Sequence, residues 1–530
     1  MTDPLPGSYR ELVVNRQNEL EALIENGGFR PFFLHSFVIF ACVPLLSLAI
    51  PCQRPGVSRL IRSVGMAVVL AIALETIVYR RAFLGAGGYM VGLAVTWWIV
   101  WCATLLVFND AAKDFRRIER RAGSVDIPIK PKLNGGNGGI LHQRCPNGKY
   151  RVSDHSDSLG QETLVWQSYP KPLSHRLNWI MGLIFNMRGP EWNWRISTLE
   201  PLPPAVRMQL DKSSMDRSDM SPEHKDLRYP DSKTQIKSAF FIFFKSYIAI
   251  DILKVVMMRD AYFWGAERPP VPPFPFNLLA PFPILVYSYR LIMSVTGVFF
   301  ALLYVTSLNP IIFLGLSLAF PRAARGLTST PLNSPWMYSS LFGPLLTSIL
   351  EKGLAGCWAQ WWHQLFRFGF LSASRWLLSV LPSSIAKPAY TRRSVHALIA
   401  FSLSGALHAV GSFTQHASTR PLHGPFLFFF LQAPGVMIQH LCDQVLLPFI
   451  FPKGVPRAVQ RTFNLCSVVS WFLLTGGLIA DDFARGGLWL VEPLPFSPLR
   501  GLGFGAEGEG WLCWREPWFR MDGGGKIRVL

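Results

Sequence analysis

RSVHALIAFSLSGALHAVGSF, residues 393–413, is an apolar run of bilayer length with an ionisable side chain, His408, deep inside it. An imidazole in hydrocarbon is costly, so such a residue marks a functional site unless another helix satisfies it. The run is one of a series. A helix needs about 20 mostly apolar residues to cross a bilayer, and comparable stretches lie at 32–50, 64–79, 88–108, 290–308, 311–320, 424–451 and 462–480. Residues 238–258 form a weaker candidate, interrupted by Lys245, Asp251 and Lys254. Half of the 530 residues are apolar and 16% are charged. A large soluble protein could share that composition, so the segmentation decides. It predicts an all-α fold, a polytopic transmembrane helical bundle of about seven to nine spans.

Lysine and arginine total 52 against 33 aspartate and glutamate, a net charge of +19. In a soluble chain that balance would suggest nucleic acid. Here the excess flanks hydrophobic spans, where basic residues mark the cytosolic side and meet anionic lipid head groups, so the expected partner is the lipid bilayer and not nucleic acid. Residues 1–30 carry more acid than base, and KDFRRIERR (113–121) is basic and juxtamembrane. The chain therefore divides into a lumenal segment (1–30), N-terminal transmembrane helices (31–108), a cytosolic polar loop (109–237), a helical core (238–480) and a C-terminal tail (481–530). The first apolar run reads as a signal anchor. Within the loop, NGGNGG (134–139) and the polar pieces at 153–158 and 211–233 predict flexibility. One island breaks that trend. HRLNWIMGLIFNMRGPEWNWRI (175–196) combines Trp179, Trp192 and Trp194 with Arg176, Arg188 and Arg195, a composition suited to a helix and turn at the membrane surface. The tail beyond Arg500 is glycine-rich and predicts poor order. The eight cysteines show no CxxC pair or Cys/His ligand spacing, which predicts neither a metal site nor a disulfide framework.

Ser404 and Ser412 lie four residues either side of His408, on the same helix face. A hydroxyl there can hold one ring nitrogen and leave the other free as a base. Gly405 and Ala409 flank this stripe and allow close helix approach or room for a substrate. A second histidine, His363, sits upstream in CWAQWWHQLFR (357–367), crowded by Trp358, Trp361 and Trp362, followed by Gln364 and, one turn on, by Arg367. Taken alone, that cluster fits an interfacial aromatic belt as well as a site. His396, His416, His423 and His440 lie near span ends, where water or head groups can satisfy them. The chain carries no GxSxG elbow, Walker loop, GxGxxG or HExxH. The absence of paired broken helices weakens a proton-coupled transporter, the alternative in which His408 relays protons.

Four blocks together carry a resemblance: RLNWIMGLIFNMRGPEWNW, FFKSYIAIDILK (243–254), SPWMYSSLFGPLLTSILEKGLAGCWAQWWHQLFR ending in Trp-His-Gln, and FSLSGALHAVGSF with its Ser-Gly-x-x-His. With FLFFFLQAPGVMIQHL (426–441) they cover most of residues 175–480. The chain resembles the wax synthase-like membrane-bound O-acyltransferases, in particular the fungal acetyltransferase branch of secondary-metabolite pathways. Two departures stand out: Cys357–Trp358 precedes Trp-His-Gln where the family often has Phe-Trp, and Gln439 occupies a late-helix position that commonly carries a carboxylate. The resemblance implies a multi-pass enzyme of the endoplasmic reticulum membrane. Its substrates would be acetyl-CoA, or another acyl-CoA, as cosubstrate and a lipophilic alcohol such as a terpenoid, with no bound cofactor. His408 is the implied general base and His363 the second catalytic residue. Trp362, Gln364, Arg367 and Ser404 are the candidate binding residues, Arg367 as a basic group for the CoA phosphates. Long-chain wax-ester synthesis from a fatty alcohol is the close alternative.

Overall fold

The computed structural model describes residues 8–51, 54–83, 87–122, 162–213, 231–506, 508–514, 517–522 and 524–530. The stretches 134–139 and 153–158, and most of 211–233, lie outside the described residues. Among the described residues, six helices are long and apolar enough to cross a membrane. In chain order the helices used below are α1 (Tyr9–Glu25), α2 (Leu34–Ala49), α3 (Pro55–Tyr79), α4 (Tyr89–Phe108), α5 (Leu173–Ile184), α6 (Ser232–Met257), α7 (Pro283–Ala319), α8 (Leu345–Gly356), α9 (Arg367–Val380), α10 (Ala389–Phe413), α11 (Leu422–Ile450) and α12 (Arg457–Gly486). The six are α3, α4, α7, α10, α11 and α12, and α2 is a shorter apolar helix.

The runs 290–308 and 311–320, separate on the sequence, form the single helix α7. Pro310 lacks an N–H and should break an ordinary helix. It opens a π-helical segment, Pro310–Leu314, whose wider turn absorbs the missing bond. At 37 residues, α7 is about 55 Å long, well beyond a hydrocarbon core of about 30 Å. Its outward face is apolar, with Ile284, Ile292 and Val305 all more than half exposed, as a lipid-facing helix requires.

The polar island packs inward. Trp179 and Trp192 have no exposed surface and Trp194 is buried. They join Trp101, Phe115 and Phe368 in an aromatic core, with Trp194 stacked on Phe368 at 4.4 Å and Trp179 edge-on to Trp192 at 4.9 Å. Arg176 is buried with them and donates to the carbonyls of Ala49 (2.8 Å) and Pro170 (3.1 Å). These arginines and tryptophans therefore face protein where composition suggested a surface segment. The reason is that α2, α4 and α9 supply apolar partners that the local sequence does not display. A hairpin of β3 and β4, by chain order Arg117–Ala122 and Glu162–Gln167, lies beside this core. The buried guanidinium of Arg117 bonds Gln167 Oε1 (2.9 Å) and Asn178 Oδ1 (3.0 Å).

The described residues of the tail are folded, contrary to the expectation from its glycine content. Strands β5 (Phe519–Met521) and β6 (Ile527–Val529) complete a four-stranded sheet with β1 (Arg30–Phe33) and β2 (Arg80–Arg81), in the order β2-β1-β6-β5. Buried charge anchors the same region. Arg500 makes a bidentate pair with Glu492 (2.6 and 2.8 Å). Asp251 of α6 accepts from Ser497 Oγ and from the Leu499 N–H, and Lys254 donates to the carbonyls of Trp489 (2.6 Å) and Val491 (3.0 Å). Two of the three charges that interrupt α6, Asp251 and Lys254, thus receive the segment that follows α12. Glu509, with a side chain only 3% exposed, accepts from Tyr9, from Arg10 (2.9 Å) and from the Ala506 N–H (2.7 Å).

Burial acts to raise the Glu509 carboxyl. The hydrogen bonds from Tyr9, the Ala506 N–H and Arg10, with the charge of Arg500, outweigh it and hold the group below its ordinary 4.5. A depressed folded-state value means stabilisation that is present above the ordinary value and is lost as pH falls through the lowered one. Limited proteolysis should therefore find the termini docked at neutral pH and released only in acid below pH 4.5. Glu509→Gln should release them at pH 7. Equal protection of variant and wild type at pH 7 would show that the carboxylate is not the latch.

Candidate active site

His408 lies on α10, and its surroundings come from three other helices. Tyr89, on the first turn of α4, places its hydroxyl on His408 Nδ1. Phe429 of α11 stacks on the imidazole at 4.4 Å and 16°. Phe483 of α12 meets the Tyr89 ring edge-on at 5.4 Å. The approach of α4 to α10 depends on two glycines. A Cβ at Gly92 would stand 2.2 Å from the Val410 carbonyl oxygen, and one at Gly411 would stand 2.9 Å from the Tyr89 ring. Thr414 adds a polar clasp, its hydroxyl lying 3.0 Å from both the Gly92 N–H nitrogen and the Gly88 carbonyl. Ser404 and Ser412 share a helix face with His408, yet the ring nitrogen open to them is taken by Tyr89.

His363 stands at a break. After α8 the chain forms a π-helical segment, Cys357–Trp361, and leaves helical geometry at Trp362 before α9 begins at Arg367. Such segments recur at functional sites because they turn side chains out of the regular helix register. Gln364, buried, holds the break: its Nε2 donates to the carbonyls of Trp358 and Trp362, both at 2.7 Å, and its Oε1 accepts from Arg367 Nη1 at 2.7 Å. Arg367 also donates to the Ala359 carbonyl (3.2 Å). Gln364 and Arg367 are thus engaged in shaping the turn. The His363 ring sits against Trp362 (5.3 Å), Phe366 (5.8 Å) and Phe342 (6.3 Å), and its buried Nδ1 has no hydrogen-bond partner among the described residues. Burial first, and then the charge of Arg188, push this imidazole down to about 4, so it is neutral at pH 7 and carries one N–H. Arg188 is itself tied to the carbonyls of Ser339 (3.1 Å) and Ser340 (2.7 Å) on the segment leading to α8.

The two histidines lie within electrostatic reach of each other. An aromatic path joins them: Phe429 stacks on His408, Trp358 lies 5.8 Å from Phe429 and 6.2 Å from Trp362, and Trp362 abuts His363. Trp358 is fixed by its Nε1 bond to Gln432 Oε1 (3.2 Å) on α11. Gln439 spans the next turns of α11. It accepts from the Leu354 N–H (2.7 Å) and donates to Asn464 (2.8 Å), filling the space that a Cβ on Gly353 would need. Gly353 adopts φ 55°, a left-handed conformation that glycine tolerates. A groove of about 560 Å³ runs along the other side of α10, past Ala409, Val410 and Phe413, and includes neither histidine.

Among the residues that touch His408, Tyr89 has no motif of its own. A tyrosine at the head of an apolar run reads as an interfacial anchor. The signal that could have found it is the pair Gly88 and Gly92 around it, the small-residue spacing of a close helix crossing.

Residues 338–431, which contain both histidines, match the sequence model of the Membrane bound O-acyl transferase family. No curated protein and no solved structure matches the chain. The match supports the broad family, and with it membrane-bound O-acyltransferase activity in general.

Replacing Gln364 by leucine takes this donor from the Trp358 and Trp362 carbonyls and leaves Arg367 with the Ala359 carbonyl, a loss of about 1–3 kcal/mol for each group left unsatisfied. Thermal unfolding in detergent should show a clear drop for Gln364→Leu. An unchanged transition would mean that the break at Trp362 is held by other contacts.

Proposed function

We propose that this acyltransferase moves an acyl group, acetyl in our reading, from acyl-CoA to a hydroxyl of a lipophilic secondary metabolite such as a terpenoid, in the endoplasmic reticulum membrane. The observation that carries the proposal is the convergence on one region of two histidines within the matched segment, one buttressed by Tyr89 and Phe429, the other at a π-helical break. The acetyl group and the terpenoid class rest on the resemblance of the sequence blocks.

His408 acts as general base. Its free Nε2 takes the proton of the acceptor hydroxyl while the oxygen attacks the thioester carbonyl. The tetrahedral adduct collapses with cleavage of the C–S bond, and the proton held on His408 passes to the departing thiolate, giving ester and CoA thiol. His363, neutral and with one N–H, donates to the oxyanion of that adduct. No acyl-enzyme is required, because both substrates meet at the same imidazole. Surroundings of phenylalanine and tryptophan keep water from competing with the alcohol for the thioester. The residues around the turn have a supporting part: Gln364 and Arg367 hold the loop that carries His363, and Trp362 walls it.

Microsomes containing the protein, given labelled acetyl-CoA or palmitoyl-CoA with hydroxylated terpenoids and fatty alcohols, should yield a labelled acetyl ester of a terpenoid. His408→Ala should lower that turnover by about a hundred- to ten-thousand-fold, the range of general acid–base catalysis. An undiminished rate would remove His408 from the reaction. Preference for palmitoyl-CoA and a fatty alcohol would instead identify a wax-ester synthase. His363→Ala should cost about a hundred- to a thousand-fold in kcat, as for loss of one oxyanion donor.

A further inference from the structure

His408 can serve as a base at Nε2 only in one of its two neutral tautomers. The proton must sit on Nδ1, and Nδ1 is the nitrogen that Tyr89 meets. A phenol oxygen both donates and accepts. If Tyr89 donated to Nδ1, the imidazole proton would lie on Nε2 and no lone pair would face the acceptor alcohol. Something must therefore turn the phenol proton the other way.

The surroundings of Tyr89 supply that influence. The residue is 4% exposed, and its ring fills the space beside Gly411, so it has no room to rotate away. Asp482, on the last turns of α12 and 2% exposed, lies within electrostatic reach of the phenol. One carboxylate oxygen accepts from the Arg420 N–H at 2.6 Å, whereas Oδ2 is buried without a hydrogen-bond partner among the described residues. Ser412 lies beside this carboxylate, its buried hydroxyl likewise outside hydrogen-bond geometry. The titratable groups that bear on the pair are thus His363, acting on His408, and Asp482, acting on Tyr89. The α11 contribution, Phe429, is uncharged.

From this arrangement we infer that Tyr89 is a positioning residue, which accepts the Nδ1–H of His408 and holds Nε2 free as the base, and that the buried carboxylate of Asp482 orients the Tyr89 hydroxyl for that purpose. The inference rests on His408 being the base. Asp482 acts through space on the O–H dipole of Tyr89, and Tyr89 acts on His408. Neither touches a substrate. As the alcohol proton arrives at Nε2, the imidazole becomes cationic, and the Nδ1–H bond to the phenol oxygen strengthens. The pair therefore favours the transition state over the ground state, which places its effect in kcat.

The test uses the full-length protein in microsomes with the acceptor that the assay described above selects. Y89F keeps the ring that packs against Gly411 and Phe483 and removes only the hydroxyl. It should lower kcat by about ten- to a hundred-fold, the usual effect of losing a group that orients a functional histidine, with KM for acyl-CoA and acceptor unchanged. D482N, which leaves the Tyr89 ring and hydroxyl in place, should lower kcat by a smaller factor, and Y89F/D482N should be no slower than Y89F alone. Elution as a folded species in detergent accompanies each variant. Wild-type kcat in Y89F, a loss confined to KM, or losses that multiply fully in the double variant would each overturn the inference. H408A separates this outcome from failure of the mechanism: an inert H408A beside a fully active Y89F rejects only the role of Tyr89, whereas an active H408A rejects the base itself.

Discussion

The contact on which the site depends is the crossing of α4 and α10. Helices in a bilayer gain nothing from hiding apolar surface from lipid, so close backbone approach and interhelical hydrogen bonds must hold them together. Gly92 and Gly411 permit that approach, and the Thr414 hydroxyl accepts from the Gly92 N–H, one of the donors that the first turn of α4 leaves over, while lying 3.0 Å from the Gly88 carbonyl. The crossing sets the height and rotation of Tyr89 against His408. A methyl group at Gly92 would meet the Val410 carbonyl oxygen at 2.2 Å, and one at Gly411 would press on the Tyr89 ring at 2.9 Å, so either would shift Tyr89 against His408.

A second constraint is that irregular backbone away from water must be satisfied by the protein itself. Three glutamines meet it around the site. Gln364 closes the turn that carries His363, Gln439 serves the kink at Gly353, and Gln432 holds Trp358 against α11. Each amide both donates and accepts, so one side chain can meet carbonyls and N–H groups exposed on opposite sides of a break. Gln439 replaces a carboxylate expected from the resemblance, and its amide is suited to this place: it must accept from Leu354 and donate to Asn464 at once, which an ionised carboxylate cannot do.

Away from the histidines, charge is used to fasten the chain ends. Asp251 and Lys254 would be costly inside α6 if they faced lipid. They are turned inward, where Ser497, the Leu499 N–H and the carbonyls of Trp489 and Val491 compensate them, while Arg500 pairs with Glu492 and Glu509 gathers Tyr9 and Arg10. The N-terminal helix, α6 and the tail are thereby joined. The glycine-rich composition of the tail concealed this, because the pairing of β6 with β1 and of Glu509 with Arg10 joins residues hundreds of positions apart.

Apolar run length was enough to establish a mostly helical membrane protein, since the bilayer thickness sets the length of any helix that spans it; the short strands left no such mark. Ionisable residues in unusual settings were likewise legible: His408 in its apolar run and His363 among tryptophans stand out because water is missing from both places. The junction at Pro310 misled, because a π-helical turn leaves no mark in hydropathy. The tryptophans of residues 175–196 looked interfacial because tryptophan suits a membrane surface and a packed core equally well, and only the neighbours decide. Tyr89 carried only the faint mark of Gly88 and Gly92 beside it, and Asp482 carried none. Their importance arises from helices 319 and 74 residues distant from His408 in the chain (89 to 408, and 408 to 482) meeting at one point. The sequence by itself determined the solvent of this protein and the residues that solvent makes anomalous. Tertiary structure alone decided which side chain holds which ring nitrogen, because a hydrogen bond requires placement to a few tenths of an ångström and only the packing of helices provides it.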